Sequence, residues 1–126
     1  MNTIKLEIGK KGEEAAVKLL RQRGYKIIER NYKNKLGEID IIAQDNNILC
    51  FIEVKTRTNL KFGYPQEAIT VTKQKKINKV AISYLKQYNL LNISARFDVI
   101  SVVLNNQNKF DIEIIKDAFS LEERYN

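Results

Sequence analysis

The stretch GEIDIIAQDNNILCFIEVKTR, residues 37–57, decides how this chain folds. Two apolar runs, Glu38–Ala43 and Ile48–Thr56, flank the turn formers Gln44, Asp45, Asn46 and Asn47. Short runs rich in Ile, Leu, Val and Phe around an Asp/Asn cluster predict two strands of a hairpin. Both runs are apolar on both faces, so their sheet is expected to be covered on both sides. Yet Glu38, Asp40, Glu53 and Lys55 stand inside them.

Outward from the hairpin, the N-terminal side predicts a helix over Lys11–Arg23, closed by Gly24 as C-cap. Ala16, Val17 and Leu20 form its apolar stripe. Glu13 lies one turn earlier on that face and is aimed inward, whereas Glu14 faces the other way, four residues before Lys18, as a solvated pair. Tyr25–Tyr32 reads as a strand. Beyond the hairpin, Thr58–Thr70 carries the only Pro and reads as loop. The clearest periodicity is Thr72–Tyr88, a helix with Ile77, Val80, Ala81, Tyr84, Leu85 and Tyr88 on one stripe. Arg96–Leu104 and Phe110–Asp117 follow as strands around Asn105–Lys109. The order α-β-β-β-α-β-β predicts an α/β or α+β fold, one mixed β-sheet flanked by helices, as a single domain over residues 1–126.

The chain has 126 residues, 44% hydrophobic and 29% charged, which suits one globular domain. It lacks a run long enough to span a bilayer and a secretory signal, so a soluble, cytoplasmic protein is expected, with no membrane partner. One Cys excludes an internal disulfide, and Cys50 reads as a core thiol. The absence of His removes the commonest general base, Ser-His and Cys-His nucleophiles and His-ligated zinc. Chemistry must rest on carboxylates, Lys, hydroxyls or a hard metal ion. With 22 Lys and Arg against 15 Asp and Glu, the net charge of +7 favours a polyanionic partner, with nucleic acid first among them.

Alternation places Glu38, Asp40 and Ile42 on one face, and Glu53 and Lys55 with Leu49 and Phe51. If Gln44–Asn47 is the loop, Ala43 faces Ile48, Glu38 faces Glu53 and Asp40 faces Phe51. Asp40 and Glu53 are then diagonal neighbours on a common face, provided the loop length is even. Buried carboxylates in excess over cations call for a divalent ion, and all-oxygen ligands suit Mg²⁺ or Mn²⁺. Asp40, Glu53 and the Val54 backbone carbonyl would form a partial shell, with Glu13 completing the site as a metal or water ligand. Lys55 would orient the attacking water or stabilise charge on a phosphate. The alternative is a solvated sheet face with Glu38–Lys55 and Asp40–Lys55 cross-strand pairs.

These residues carry a resemblance. GEID (37–40) and FIEVKTR (51–57), preceded by GEEAA (12–16), RGY (23–25) and RNY (30–32) and followed by RFDVI (96–100), resemble the YraN family of predicted endonucleases. That family belongs to the PD-(D/E)XK superfamily, which includes Holliday-junction resolvases. The resemblance implies a restriction-endonuclease-like αβββαβ core, Asp40 and Glu53 as metal ligands, Lys55 as catalytic lysine and Glu13 as the helix-borne acid of the same site. Ile39 stands where the superfamily's name has Pro. The implied activity is metal-dependent hydrolysis of phosphodiester bonds in DNA, branched DNA included. The alternative is a non-catalytic nucleic-acid-binding module working with a protein partner. A junction-cleaving enzyme would be expected to act as a two-fold homodimer.

Other residues fit a groove. Lys73, Lys75, Lys76 and Lys79 crowd the start of the second helix, a phosphate site or a solvated basic face. Gln74 would reach the site's water or stay on the surface. Arg57, Lys61 and Arg30 would line the groove. Asp98 would sit near the site by family analogy or pair with Arg96.

Overall fold

The hairpin forms as β2 (Gly37–Asp45) and β3 (Ile48–Arg57), joined by only two residues, Asn46 and Asn47, in this computed structural model, which describes residues 2–58 and 69–120. Asn46 takes a positive φ of 55°, a conformation Asn tolerates and β-branched residues do not. The shorter loop moves the register by two residues from the expected one: Ala43 faces Cys50, Ile42 faces Phe51 and Ile41 faces Ile52. An even shift leaves every side chain on its original face.

Around the hairpin stand α1 (Asn2–Gln22), β1 (Lys26–Asn34), α2 (Val71–Gln87), β4 (Ala95–Leu104) and β5 (Phe110–Phe119). The sheet order is β1-β2-β3-β4-β5. Only β3 and β4 run parallel, connected through α2, and the remaining neighbours are antiparallel. The fold is α+β, with the αβββαβ order followed by one edge strand, consistent with a restriction-endonuclease-like core. Among the described residues no helix is long and apolar enough to cross a membrane. Lys61 and most of the predicted Thr58–Thr70 loop lie outside the described residues.

Each sheet face has its own core. Ile42, Phe51, Phe97 and Val99 pack under Ile77, Val80, Ala81, Tyr84 and Leu85 of α2. Ile41, Ala43, Cys50, Ile52 and Ile100 pack under Ala16, Val17 and Leu20 of α1. Cys50 is a core thiol, and burial pushes it up to about 12. Both helices end as their sequences dictate. The Tyr25 amide donates to the Leu20 carbonyl and the Gly24 amide to Arg21, with Gly24 at φ 89°. Asn89, φ 59°, does the same for α2. That early stop leaves Tyr88 just past the helix, 49% exposed and tilted over Tyr84, not in the core as its place on the stripe suggested.

Helix α1 begins nine residues before the predicted Lys11, because nothing in Asn2–Lys10 breaks a helix except Gly9. Gly12 matters more. A Cβ there would stand 2.5 Å from Thr56 Oγ1 and 2.9 Å from its Cγ2, so the bare glycine lets α1 approach β3. Gly12→Ala should therefore destabilise the protein by about 1–2 kcal/mol in chemical denaturation, overpacking outweighing the ~1 kcal/mol gain in helix propensity. In a Thr56→Ala background the sign should turn, because only the Cβ at residue 56, 3.2 Å away, still crowds the site.

Candidate active site

The β2–β3 ladder ends at Ile41–Ile52. One further step in that register brings Asp40 opposite Glu53, closer than the predicted diagonal. Past the last pair the Val54 amide, instead of entering the ladder, donates to Asp40 Oδ2 at 2.8 Å. The gap between the strands is held open by a side chain substituting for a backbone acceptor.

Strand alternation also lapses here. Ile39 and Ile42 both join the α2-side core, while Ile41 joins the α1-side core. Across from this point Asn31 takes φ 54°; on either side of it Arg30 faces Glu13 of α1 and Tyr32 faces α2. The left-handed residue rolls β1, and β2 follows. Asp40 consequently stands at a seam and lines two recesses, one toward each helix. The α2-side recess, about 320 Å³, is walled by Glu38, Asp40, Glu53, Lys73 and Lys76. The α1-side recess, about 380 Å³, is walled by Lys10, Glu13, Asp40, Val54 and Lys55. Asp40 therefore does not simply share a face with Glu38 and Ile42, and Lys55 and Glu53 wall different recesses. All four residues singled out for chemistry, Glu13, Asp40, Glu53 and Lys55, are gathered around this seam.

Glu53 is buried, 7% exposed. Burial, then the facing charge of Glu53, raises Asp40 from 3.8 to about 7, against the opposing Val54 hydrogen bond. The cation that meets this pair is Lys73, whose Nζ lies 3.1 Å from Glu53 Oε2. Lys55 makes no ion pair among the described residues, so the alternative Glu38–Lys55 and Asp40–Lys55 pairs do not form. Arg30, expected in the groove, instead clamps the two adjacent glutamates, 3.3 Å from Glu13 Oε1 and 2.7 Å from Glu14 Oε1. Glu14 thus pairs with Arg30, not Lys18. The partly buried strand guanidinium takes Glu14 in preference to the exposed lysine on the same helix.

Gln74 donates to the Ile69 carbonyl at 3.0 Å and is spent on the start of α2. Arg57 ends β3 beside Val103, and Lys76 stays exposed at the rim of the α2-side recess. Asp98 is away from both recesses and paired with Arg96, Nε to Oδ1 2.9 Å. The role of Lys73 at Glu53 was not foreseen, although a signal existed. Lys73 lies four residues before Ile77 and so extends the α2 stripe by one turn toward the sheet.

Two adjacent desolvated carboxylates fit a hard cation that keeps several waters and takes up substrate phosphate. They do not make an all-protein cage, since no group of three or more acidic, Cys or His residues gathers for a metal among the described residues. Val54 contributes an amide to Asp40, which fixes that carboxylate's orientation.

Comparison with known sequences agrees with this layout in extent. The profile described as Uncharacterised protein family UPF0102 matches residues 12–102, from Gly12 in α1 to Val102 in β4. A UPF0102 protein of Caldicellulosiruptor saccharolyticus is 50% identical over 116 residues, 91% of this chain and 98% of its own. One of Clostridium beijerinckii is 47% identical over 122 residues, 96% of this chain and 99% of its own. One of Dictyoglomus thermophilum is 48% identical over 114 residues, 90% and 97% respectively. The chain belongs to the UPF0102 family.

The raised Asp40 sets a pH dependence. Between about pH 4 and pH 7 the folded state holds a proton that the unfolded state has released, so stability falls as pH rises through that window. In EDTA, Asp40→Asn should flatten this slope and gain about 1–3 kcal/mol at pH 8, measured by urea titration at pH 4, 6 and 8.

Proposed function

We propose that this member of the UPF0102 family is a Mg²⁺- or Mn²⁺-dependent endonuclease of the PD-(D/E)XK type that hydrolyses phosphodiester bonds in DNA within the cytoplasm. The observation that carries the reading is the Asp40–Glu53 carboxylate pair, desolvated at the open end of the ladder, with Lys55 and Glu13 across the seam. A structural role would place a basic partner between the two acids, as Arg96 does for Asp98. Here the one ion pair is to a half-exposed lysine at the rim, and two acids set together in a recess with one carboxyl strongly perturbed are a feature of functional sites.

The chain's residues divide the work. Asp40 and Glu53, with the Val54 carbonyl, hold the cation, and Asp40 is kept in orientation by the Val54 amide. When bound, a divalent cation there neutralises the carboxylates and polarises the phosphodiester. Lys55 orients the attacking water and stabilises charge developing on the phosphoryl oxygens. Glu13, steadied by Arg30, accepts a hydrogen bond from that water. Lys73 and Lys76, at the start of α2, hold the nucleic-acid backbone. The β1–β2 turn is brought to α2 by Asn34 Nδ2 donating to Ser83 Oγ at 3.4 Å.

A second reading, a nucleic-acid-binding module without turnover, is favoured by one observation: Lys73 already neutralises Glu53. Incubation of wild type, Asp40→Asn and Lys55→Ala with junction, single-stranded and duplex DNA in Mg²⁺ or Mn²⁺ separates the two. Cleavage should fall about 100-fold or more in each variant, the cost typical of removing one charge-stabilising group. Equal cleavage by all three sinks the enzymatic reading. Binding without cleavage, unchanged in the variants and weakening steeply with salt, establishes the module. Paired, symmetric cuts in a junction would require a two-fold dimer.

A further inference from the structure

We infer that Lys73 is the site's built-in counter-ion: its ammonium holds Glu53 when no divalent cation is present, and cation binding displaces it into the α2-side recess toward the nucleic-acid backbone. This rests on the reading of Asp40 and Glu53 as cation ligands.

The ion pair is asymmetric. The Glu53 side chain is 9% exposed and the Lys73 side chain 46%. Glu53 has nowhere to go, whereas the lysine needs only to rotate its stem to return to water. Its backbone stays fixed meanwhile, since the Lys73 amide donates to the N-cap Thr70 Oγ1 at 3.1 Å. The ammonium also needs a reason to lie where it does. The first turn of α2 carries no acidic residue, and a cation there opposes the helix dipole. Glu53, reaching across from β3, offsets that repulsion.

A dication contacting the same carboxylate removes the attraction and adds repulsion between like charges. The displaced ammonium then has the recess before it, about 320 Å³ and already bordered by Lys76. Two lysines free in that space make a phosphate-binding pair that the metal-free protein lacks. Uptake of the cation and uptake of the polyanion are thereby linked, each favouring the other.

Isothermal titration of Mn²⁺ into the EDTA-treated full chain tests the displacement. Lys73→Gln should bind Mn²⁺ about three- to fivefold more tightly than wild type, the range set by the loss of one partly exposed ion pair. Lys73→Arg, which keeps the charge, should match wild type. In anisotropy measurements with labelled duplex DNA, Ca²⁺ should tighten binding by wild type more than by Lys73→Gln. If Glu53→Gln abolishes Mn²⁺ uptake while Lys73→Gln leaves it unchanged or weaker, the ligand reading stands and the displacement is overturned. If wild type takes up no Mn²⁺ at millimolar concentration, or Glu53→Gln binds it undiminished, the cation-site reading falls and the displacement falls with it. Lys73→Met provides a second neutral variant with the same expected direction.

Discussion

Asp40 and Glu53 face each other where the β2–β3 ladder runs out, and burial together with mutual repulsion makes that meeting unfavourable unless a cation is brought to it. Several features of the fold follow from this constraint. The Val54 amide leaves the ladder to hold one carboxylate, and Lys73 reaches from α2 to hold the other. Gly12 lets α1 close on β3 at Thr56, which carries Glu13 to the far side of Asp40. The left-handed Asn31 turns the two strands so that Asp40 belongs to neither face alone.

The neighbouring strand β4 shows what this chain does with a buried acid that is fully partnered. Asp98, 1% exposed, receives the Arg96 guanidinium and the Asp117 amide. Arg96 also bonds Asp45 beside the β2–β3 turn and the hydroxyl of Tyr25. The Asp117 amide is available because β5 bulges opposite Asp98, between the Phe97–Phe119 and Val99–Ile115 pairs. Every charge in that network has a fixed partner, which is how buried ions become tolerable. At the seam the cation paired with Glu53, among the described residues, is a lysine on a half-exposed stem. An arginine clamp holds its acids with a planar fork, whereas a single ammonium on a long stem holds one carboxylate at one point.

The two recesses give this arrangement a direction. Lys73 and Lys76, from the start of α2, stand across the α2 side from Glu38, Asp40 and Glu53. Lys55, Lys10 and Glu13 line the α1 side. Asp40 is the residue the two recesses share, so it is reachable from both helices. The exposed lysines of α2, Lys75 and Lys79 among them, add to the positive surface of a chain whose net charge is +7.

Much of this was legible in the residues. Hairpin pairing put Asp40 and Glu53 within reach of each other, and the error of two in register only moved them from diagonal to directly opposite. Periodicity along α2 and the glycine after α1 placed both helices and one of their ends, and the inward face of Glu13 followed from its spacing to Ala16 and Val17. The turn itself was ambiguous because Gln44, Asp45, Asn46 and Asn47 are all acceptable in loops, so only strand pairing decided that two of them extend the strands. Tertiary structure alone decided the rest. Arg30 meets Glu13 and Glu14 through contacts between β1 and α1, Lys73 meets Glu53 across a helix and a strand distant in sequence, and the rolled seam at Asp40 depends on one backbone torsion at Asn31. Local spacing fixes which way a side chain points, but which charge it meets depends on packing between elements that sequence spacing does not encode.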